Sequence, residues 1–229
     1  MGQSDLETAF AGRSVQRVSL VRDQVAGLIR EAITAQRFQP GELLVERELC
    51  DATGASRASV REALRQLETE GLIVSIPGRG STVVRLGVEE AERIYDIRAA
   101  LEALAGRRFV ERATDDEIDR LREIAERGTA AVDDAAAQLA VGTEFYELLF
   151  RGARNPELQH MVGMLHRRIT LLRSLSLSSA SRRHRSSEEL IEIVAAIARH
   201  DGEEVAALLV AHVRAAARAA IDALERTAD

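Results

Sequence analysis

From Ser19 the apolar positions Leu20, Val25, Leu28, Ile29, Ala32 and Ile33 recur at three- and four-residue spacing, which predicts an amphipathic helix. Gln39-Pro40-Gly41 stops it and turns the chain. A short second helix is expected from Val45 to about Ala52, with Leu49 and Cys50 facing inward and Gly54 as its C-terminal stop. A third helix begins near Ser56 or Ser59, with Ser59-x-x-Glu62 read as a capping box. Val60, Ala63, Leu64 and Leu67 form its buried stripe, and Gly71 ends it. The pattern then changes from helical to extended. Leu72 to Ile76 and Ser81 to Arg85 read as two short strands, joined by the turn Pro77-Gly78-Arg79-Gly80. A helix followed at once by a basic-tipped hairpin is the outline of a winged helix-turn-helix.

After Gly87 the pattern is helical throughout, with helices expected over 88–112, 115–128, 133–152, 156–175, 186–200 and 202–226. Thr114-x-x-Glu117 and Asp201-x-x-Glu204 read as capping boxes, and Asn155-Pro156 puts proline at a first helical position. The Ser- and Arg-rich stretch 174–187 is expected as the one longer connection, free to move or to act as a lid. The predicted fold is therefore mainly α: a winged helix-turn-helix of three helices plus a β-hairpin wing, followed by an all-α antiparallel helical bundle. The expected divisions are an N-terminal arm over 1–18, the winged helix-turn-helix over 19–86, and the helical bundle over 87–229.

Composition narrows the function. The chain has 229 residues, 46% hydrophobic and 30% charged, as in a soluble globular protein, and no apolar run approaches the ~18 residues of a membrane span. Its start carries no secretory signal pattern, and the single Cys50 fits a reducing compartment, so a cytoplasmic location is expected. Cys50 itself reads as a small core residue. The net charge of −6 argues against a nucleic-acid partner until its distribution is considered. Residues 1–86 carry 11 arginines and 11 acidic residues, so the whole excess of negative charge lies after residue 86.

Arg57, Arg61 and Arg65 lie four apart on one stripe of the third helix, away from the apolar stripe. One face can pack while the other reads DNA. Arg57 and Arg61, near the N-terminal end, are best placed for base edges or phosphates. Ser56 and Ser59 bring hydroxyls and backbone N–H groups to a helix start, a natural seat for phosphate. Arg79 at the hairpin tip can enter the flanking minor groove, and Gly78 and Gly80 let the backbone approach closely. An arginine stripe on an isolated helix is usually only a solvated face, paired here with Glu62 or Glu68. The short helix before it and the glycine hairpin after it change that balance.

Together these residues resemble the GntR family of bacterial transcription regulators. The resemblance rests on Gln39-Pro40-Gly41-Glu42-Leu43, Glu46-Arg47-Glu48-Leu49, Ser56-Arg57, Val60-Arg61-Glu62-Ala63-Leu64-Arg65, Leu67, Glu70-Gly71-Leu72 and Gly78-Arg79-Gly80. The second half is similar to the FadR-like branch with its helical FCD effector-binding domain, on Ile97-Arg98, Leu101-Glu102, Phe145, Asn155, Leu158, Ala196-Ile197, Asp201, Ala207 and His212. The resemblance implies a homodimer on a palindromic double-stranded operator, with a small effector altering DNA affinity and repression as the expected direction. It implies DNA contacts at Arg47, Arg57, Arg61, Gly78 and Arg79, and at Ser56, Ser59, Gly80 and Ser81. Ala58 and Ser59 stand where many members carry a polar residue and a proline.

Many FCD domains hold a divalent metal with one aspartate and three histidines. Here those positions fall on Gly142, Tyr146, Leu190 and His212, so only one ligand remains and no metal or other cofactor is expected. No two of the five histidines are three or four apart, which removes the common helical chelate independently of the resemblance. A histidine among Ala, Leu and Val on an amphipathic helix, such as His212, is more often a satisfied core residue than a ligand. The expectation is a metal-free pocket to which Arg98, Tyr146 and His212 contribute polar groups, with Arg98 gripping the carboxylate of an organic acid. Arg98 can equally be the i, i+4 structural partner of Glu102. Two other classes stand beside the regulator. One is a DNA-binding dimer with no small-molecule effector. The other is a helical-bundle enzyme, disfavoured because residues 87–229 hold no cysteine, no histidine cluster and no glycine-rich phosphate loop.

Overall fold

The computed structural model describes residues 16–35 and 37–226. The expected N-terminal arm lies outside them up to residue 15. The first helix, α1 (Gln16–Thr34), buries Val25, Ala26, Ile29 and Ile33 on one side. A two-residue strand, β1 (Leu43–Leu44), leads into α2 (Glu46–Thr53). That helix ends on Gly54 at φ +67, whose N–H reaches the Cys50 carbonyl at 2.9 Å. The left-handed conformation is one that glycine adopts without steric penalty.

The third helix, α3 (Arg57–Thr69), begins earlier than a Ser59 cap would allow. Ser56 is the cap: its hydroxyl accepts from the Ser59 N–H at 3.2 Å. Ser59 therefore sits inside the first turn, and Glu62 bonds Arg65 instead of closing a box. Val60, Ala63, Leu64 and Leu67 are buried as the periodicity predicts. Glu70, almost wholly buried at the helix end, takes two guanidinium nitrogens of Arg30, which ties α3 to α1.

Strands β2 (Ile73–Ile76) and β3 (Gly80–Val83) form the wing, and β1 adds to β3 in an antiparallel sheet of order β1-β3-β2. Leu43 pairs with Thr82 and Leu44 with Ser81, while Ile73 pairs with Val83 and Ile76 with Gly80. The wing turns through Pro77 and Gly78 (φ +77), with the Arg79 N–H on the Ile76 carbonyl at 3.0 Å. Proline then a positive-φ glycine makes a type II turn, which leaves Arg79 at the tip. β1 escaped the sequence reading because two residues cannot display a period.

Six helices follow: α4 (Val88–Arg112), α5 (Asp115–Ala130), α6 (Ala135–Gly152), α7 (Pro156–Ser176), α8 (Ala180–Ala198) and α9 (Gly202–Arg226). Thr114 and Glu117 close the expected capping box. Asn155 caps α7 ahead of Pro156. Asp201 makes only half of its box: its carboxylate accepts from the Glu204 N–H at 2.9 Å, while the Glu204 side chain pairs with Arg199.

The stretch 174–187 is not a connection. Residues up to Ser176 finish α7, and α8 starts at Ala180 on a Ser179 cap, so the link is only 177–179. The run looks like solvated loop because it is polar. Its Ser176, Arg182, Ser186 and Ser187 are nevertheless buried, turned toward a polar interior.

One apolar cluster joins the α1–α3 unit to the near ends of α4, α7 and α9, through Tyr95, Leu172 and Val213 among others. A second fills the far end of the bundle around Phe109, Phe145 and Leu149. Within the second cluster α9 packs tightly on α4 at Gly106, where an added Cβ would lie 2.5 Å from Leu209 Cδ1 and 2.8 Å from Val205 Cγ1. Leu209 and Val205 are fully buried and have no room to swing away. Gly106→Ala should therefore lower the unfolding free energy by about 1–2 kcal/mol, because the overpacking outweighs the gain in helix propensity. Urea unfolding followed by circular dichroism measures this, and a variant as stable as the wild type would show that the contact relaxes.

Candidate nucleic-acid interface and ligand cavity

The outer side of α3, the N-terminal part of α2 and the wing tip carry the basic groups. Arg47, Arg57 and Arg79 are exposed, and none makes an ion pair among the described residues. Arg61 is exposed too, but both carboxylate oxygens of Glu46 on α2 take its Nε, at 2.9 and 3.0 Å. Arg65 pairs with Glu62 at 2.5 Å. Arg61 is thus held across the α2–α3 turn, while Arg57 is unencumbered at the first position of its helix.

Ser56 is exposed, with its hydroxyl engaged in the cap. Ser59, expected on the DNA-facing side, is buried beneath that cap with its hydroxyl 3.0 Å from that of Ser56. Gly78 has open space around it, whereas a side chain at Gly80 would press on Leu43. Ser81 lies half-buried in β3 opposite Leu44. The wing is braced to α3 by the Glu68 carboxylate, which accepts from the Ser75 N–H at 2.9 Å.

Inside the bundle the fold gathers charge from four helices. Arg98 and Glu102 on α4 are both almost completely buried and meet at 2.5 Å. Arg173 on α7 stacks on the Tyr146 ring, 4.0 Å from its centroid, and Arg98 lies 5.4 Å from the same centroid. On α8, Arg182 reaches Glu189 at 2.9 Å, and the same carboxylate oxygen receives His212 Nδ1 from α9 at 2.6 Å. Arg98, Tyr146 and His212, picked out in the sequence, thus do lie together. Arg173, Arg182, Glu189 and Ser176 were missed. The legible trace was Arg173, a lone charge within Ile169–Leu177.

Burial dominates the electrostatics. It lowers the His212 pKa, only partly offset by Glu189, so the ring is neutral near pH 7 and donates Nδ1–H. Burial would raise Glu189, but the hydrogen bonds from His212 and Arg182, with the Arg182 charge, outweigh it and leave its pKa low. Burial works against the charge of Arg98 as well, and Glu102 more than restores it. Arg173 has no such rescue: burial, then the like charge of Arg98, brings its pKa down to about 10. Tyr95, whose hydroxyl donates to the Leu172 carbonyl at 3.3 Å, is pushed up to about 12 by burial.

Two small cavities, each of about 30 Å³, adjoin the Arg98–Tyr146–Arg173 wall. One reaches Leu101 and Val162; the other reaches Ser176, Arg182, Leu190 and His212. Several groups there have no hydrogen-bond partner: Arg98 Nη1, Arg173 Nε, Arg182 Nε and Nη1, Ser176 Oγ and the Tyr146 hydroxyl, which can donate, and the single acceptor Glu102 Oε2. Such groups cost about 1–3 kcal/mol each when left unsatisfied, so the arrangement suits a ligand rich in acceptor oxygens.

Gly142, Tyr146, Leu190 and His212 all line the second cavity. A divalent cation does not fit among them. Gly142 and Leu190 offer no ligating atom, three guanidiniums share the lining, and among the described residues no group of three or more His, Cys, Asp or Glu side chains is arranged for a metal. A separate open cleft of about 860 Å³ lies between α1 and the helices α6 and α7, with Arg30, Thr34, Leu139, Thr143 and Ser174 on its walls.

A winged helix with exposed arginines, joined to a helical domain with an internal polar cavity, defines a DNA-binding transcriptional regulator with an effector domain. The chain belongs to the GntR family of such regulators. Residues 21–83 match the model of the bacterial regulatory proteins, gntR family, and residues 93–215 match that of the FCD domain. It is 33% identical to the Nta operon transcriptional regulator of Aminobacter aminovorans, over 77% of this chain and 83% of that one. It is 28% identical to the HTH-type transcriptional repressor NanR of Enterobacter sp. (strain 638), over 92% and 91%. These relatives are regulators, not enzymes. The fold matches E. coli McbR/YncC with a TM-score of 0.75 at 22% identity, covering 91% of this chain and 99% of that one. A putative transcriptional regulator GntR from Rhodococcus sp. RHA1 also matches at 0.75 and 22%, over 88% and 97%. Among the described residues no helix is long and apolar enough to cross a membrane.

Proposed function

We propose that this regulator is a cytoplasmic repressor that binds a palindromic operator as a homodimer and changes its DNA affinity when a small carboxylate enters the bundle cavity. The observation that carries the effector reading is the charge balance of that cavity. Three buried arginines face Glu102 and Glu189, with the exposed Glu147 at the edge of the first cavity, and several of their N–H groups have no partner. A carboxylate supplies the missing charge and acceptor oxygens together. No metal takes part. The two-fold symmetry of an operator calls for two copies of the DNA-reading unit. Arg57 and Arg61 read the major groove, Arg47 holds the backbone, and Arg79 enters the flanking minor groove with Gly78, Gly80 and Ser81 behind it. Ser56 and Ser59 act there through the helix start they build. Repression as the direction is supported by the relative named as a repressor.

The small size of the cavities favours a second reading, a DNA-binding dimer with no effector. Thermal melting in a panel of sodium carboxylates, beside gel-shift titration on DNA flanking the gene, separates the two. Stabilisation by an acid that also shifts operator affinity is expected, with log affinity falling by about 0.9 per log unit of salt for each phosphate contacted. Operator binding that no acid alters would leave the second reading.

A further inference from the structure

We propose that Arg173 is the residue that anchors the negative charge of the effector, and that α7 carries its occupancy to the DNA-reading unit. This rests on the carboxylate reading above and names the group within it that a ligand must satisfy.

Each of the other two buried arginines has its own carboxylate: Arg98 meets Glu102 at 2.5 Å, and Arg182 meets Glu189 at 2.9 Å. Arg173 has none within hydrogen-bond distance. The nearest is Glu102 Oε1 at 3.7 Å, the oxygen already taken by Arg98. Arg173 is 7% exposed, its Nε has no partner, and its other neighbour is the face of Tyr146. His212 is neutral, so it leaves the count unchanged. Inside the bundle three arginines are set against Glu102 and Glu189, while the exposed Glu147 at the edge of the first cavity makes no ion pair among the described residues, so Arg173 is the arginine left without a carboxylate in hydrogen-bond distance. A buried cation in this position is costly until an anion joins it.

The helix that bears it is the wall between the two halves of the molecule. Ile169, Arg173 and Ser176 of α7, with Leu177 just past its end, line the cavities, while Thr170 and Ser174, with Ser178 in the link beyond, line the open cleft against α1. Arg168 pairs with Glu90 at 3.3 Å and packs near Gly71 at the end of α3. Leu171, Leu172 and Leu175 belong to the same apolar cluster as Ile29, Leu64 and Leu67 of α1 and α3. An anion that pulls on Arg173 pulls on a helix already packed on the DNA-binding unit. Coupling needs no contact between the ligand and α3, only a different resting position of α7 in the two states.

The test compares wild type, Arg173→Met and Arg173→Lys by thermal melting in sodium acetate, lactate, succinate and citrate, against sodium chloride at matched ionic strength. Operator affinity is measured in the same solutions. Without acid, Arg173→Met should melt at or above the wild-type temperature, because it removes an uncompensated buried charge. In acid it should lose the stabilisation, with apparent affinity weaker by roughly 10- to 100-fold, and its operator affinity should no longer respond. Arg173→Lys keeps the charge and should recover part of the response. If Arg173→Met melts well below the wild type without acid, Arg173 is a structural residue and the proposal falls. If it keeps the full acid response, the anchor lies elsewhere and only this proposal falls. A wild type indifferent to all four acids removes the carboxylate reading itself, and this inference with it.

Discussion

Replacing Arg98 with methionine should lower the unfolding free energy by about 3–5 kcal/mol, the usual cost of stripping one partner from a buried ion pair. Arg98 and Glu102 are 2% and 1% exposed, and their 2.5 Å contact is the shortest route by which the Glu102 charge is balanced. Methionine fills much of the space but leaves the carboxylate buried. Arg173, at 3.7 Å, is close enough to move in, so the loss should fall toward the lower end of the range. The double variant Arg98→Met/Glu102→Leu removes both charges and should recover most of the loss. Urea denaturation of the two variants beside the wild type gives the answer. A single variant as stable as the wild type would mean that Arg173 takes over Glu102 completely. Since Arg173→Met should not destabilise, the two buried arginines are expected to answer the same substitution with opposite signs.

The second large effect belongs to the DNA interface. Arg57→Ala should weaken operator binding by about 1–3 kcal/mol, roughly 5- to 150-fold, if the guanidinium grips a base edge. Arg57 is exposed at the first turn of α3 and makes no ion pair among the described residues, so its removal should leave the melting temperature and circular dichroism unchanged. A phosphate contact would leave a different signature. Binding would then weaken evenly across DNA sequences, and the salt slope would fall by about 1. Arg61 is a less direct probe, because Glu46 holds its Nε and its removal also frees a carboxylate on α2. Gel shifts on operator and scrambled DNA at several salt concentrations distinguish these cases. An Arg57→Ala protein that binds operator like the wild type would take that residue out of the interface.

Much of this architecture is legible in the sequence because it is local. Apolar spacing along 88–226 marks six helices, five of them close to where they form and α8 six residues late, and Thr114, Asn155 and Gly54 mark ends that the structure keeps. Pro77-Gly78 dictated the turn of the wing, since the left-handed region suits glycine there. The winged helix and its exposed arginines were readable for the same reason: a helix face is set by residues three and four apart. The start of α3 stays open between Ser56 and Ser59 in the sequence, since both are good caps, and the capping box read at Ser59 does not form because packing chooses Ser56.

What the sequence by itself determined is thus the order and type of the elements, the family, and the arginines on the outside of α3. The tertiary structure alone decided which charges are buried and which of them lack a partner. Arg182 sits in a run that reads as polar connection, and Arg173 is a lone charge in the expected helix just before it, yet α7 and α8 turn both side chains inward, toward Tyr146 and Glu189. The periodicity of a helix says which side is apolar. It does not say that a polar side faces a polar interior, because the groups that make that interior come from α4, α6 and α9, far away in the chain. Whether a guanidinium is solvated, paired or left waiting for an anion depends on distances of a few ångströms between those helices, and Coulomb energy in a buried site turns on such distances.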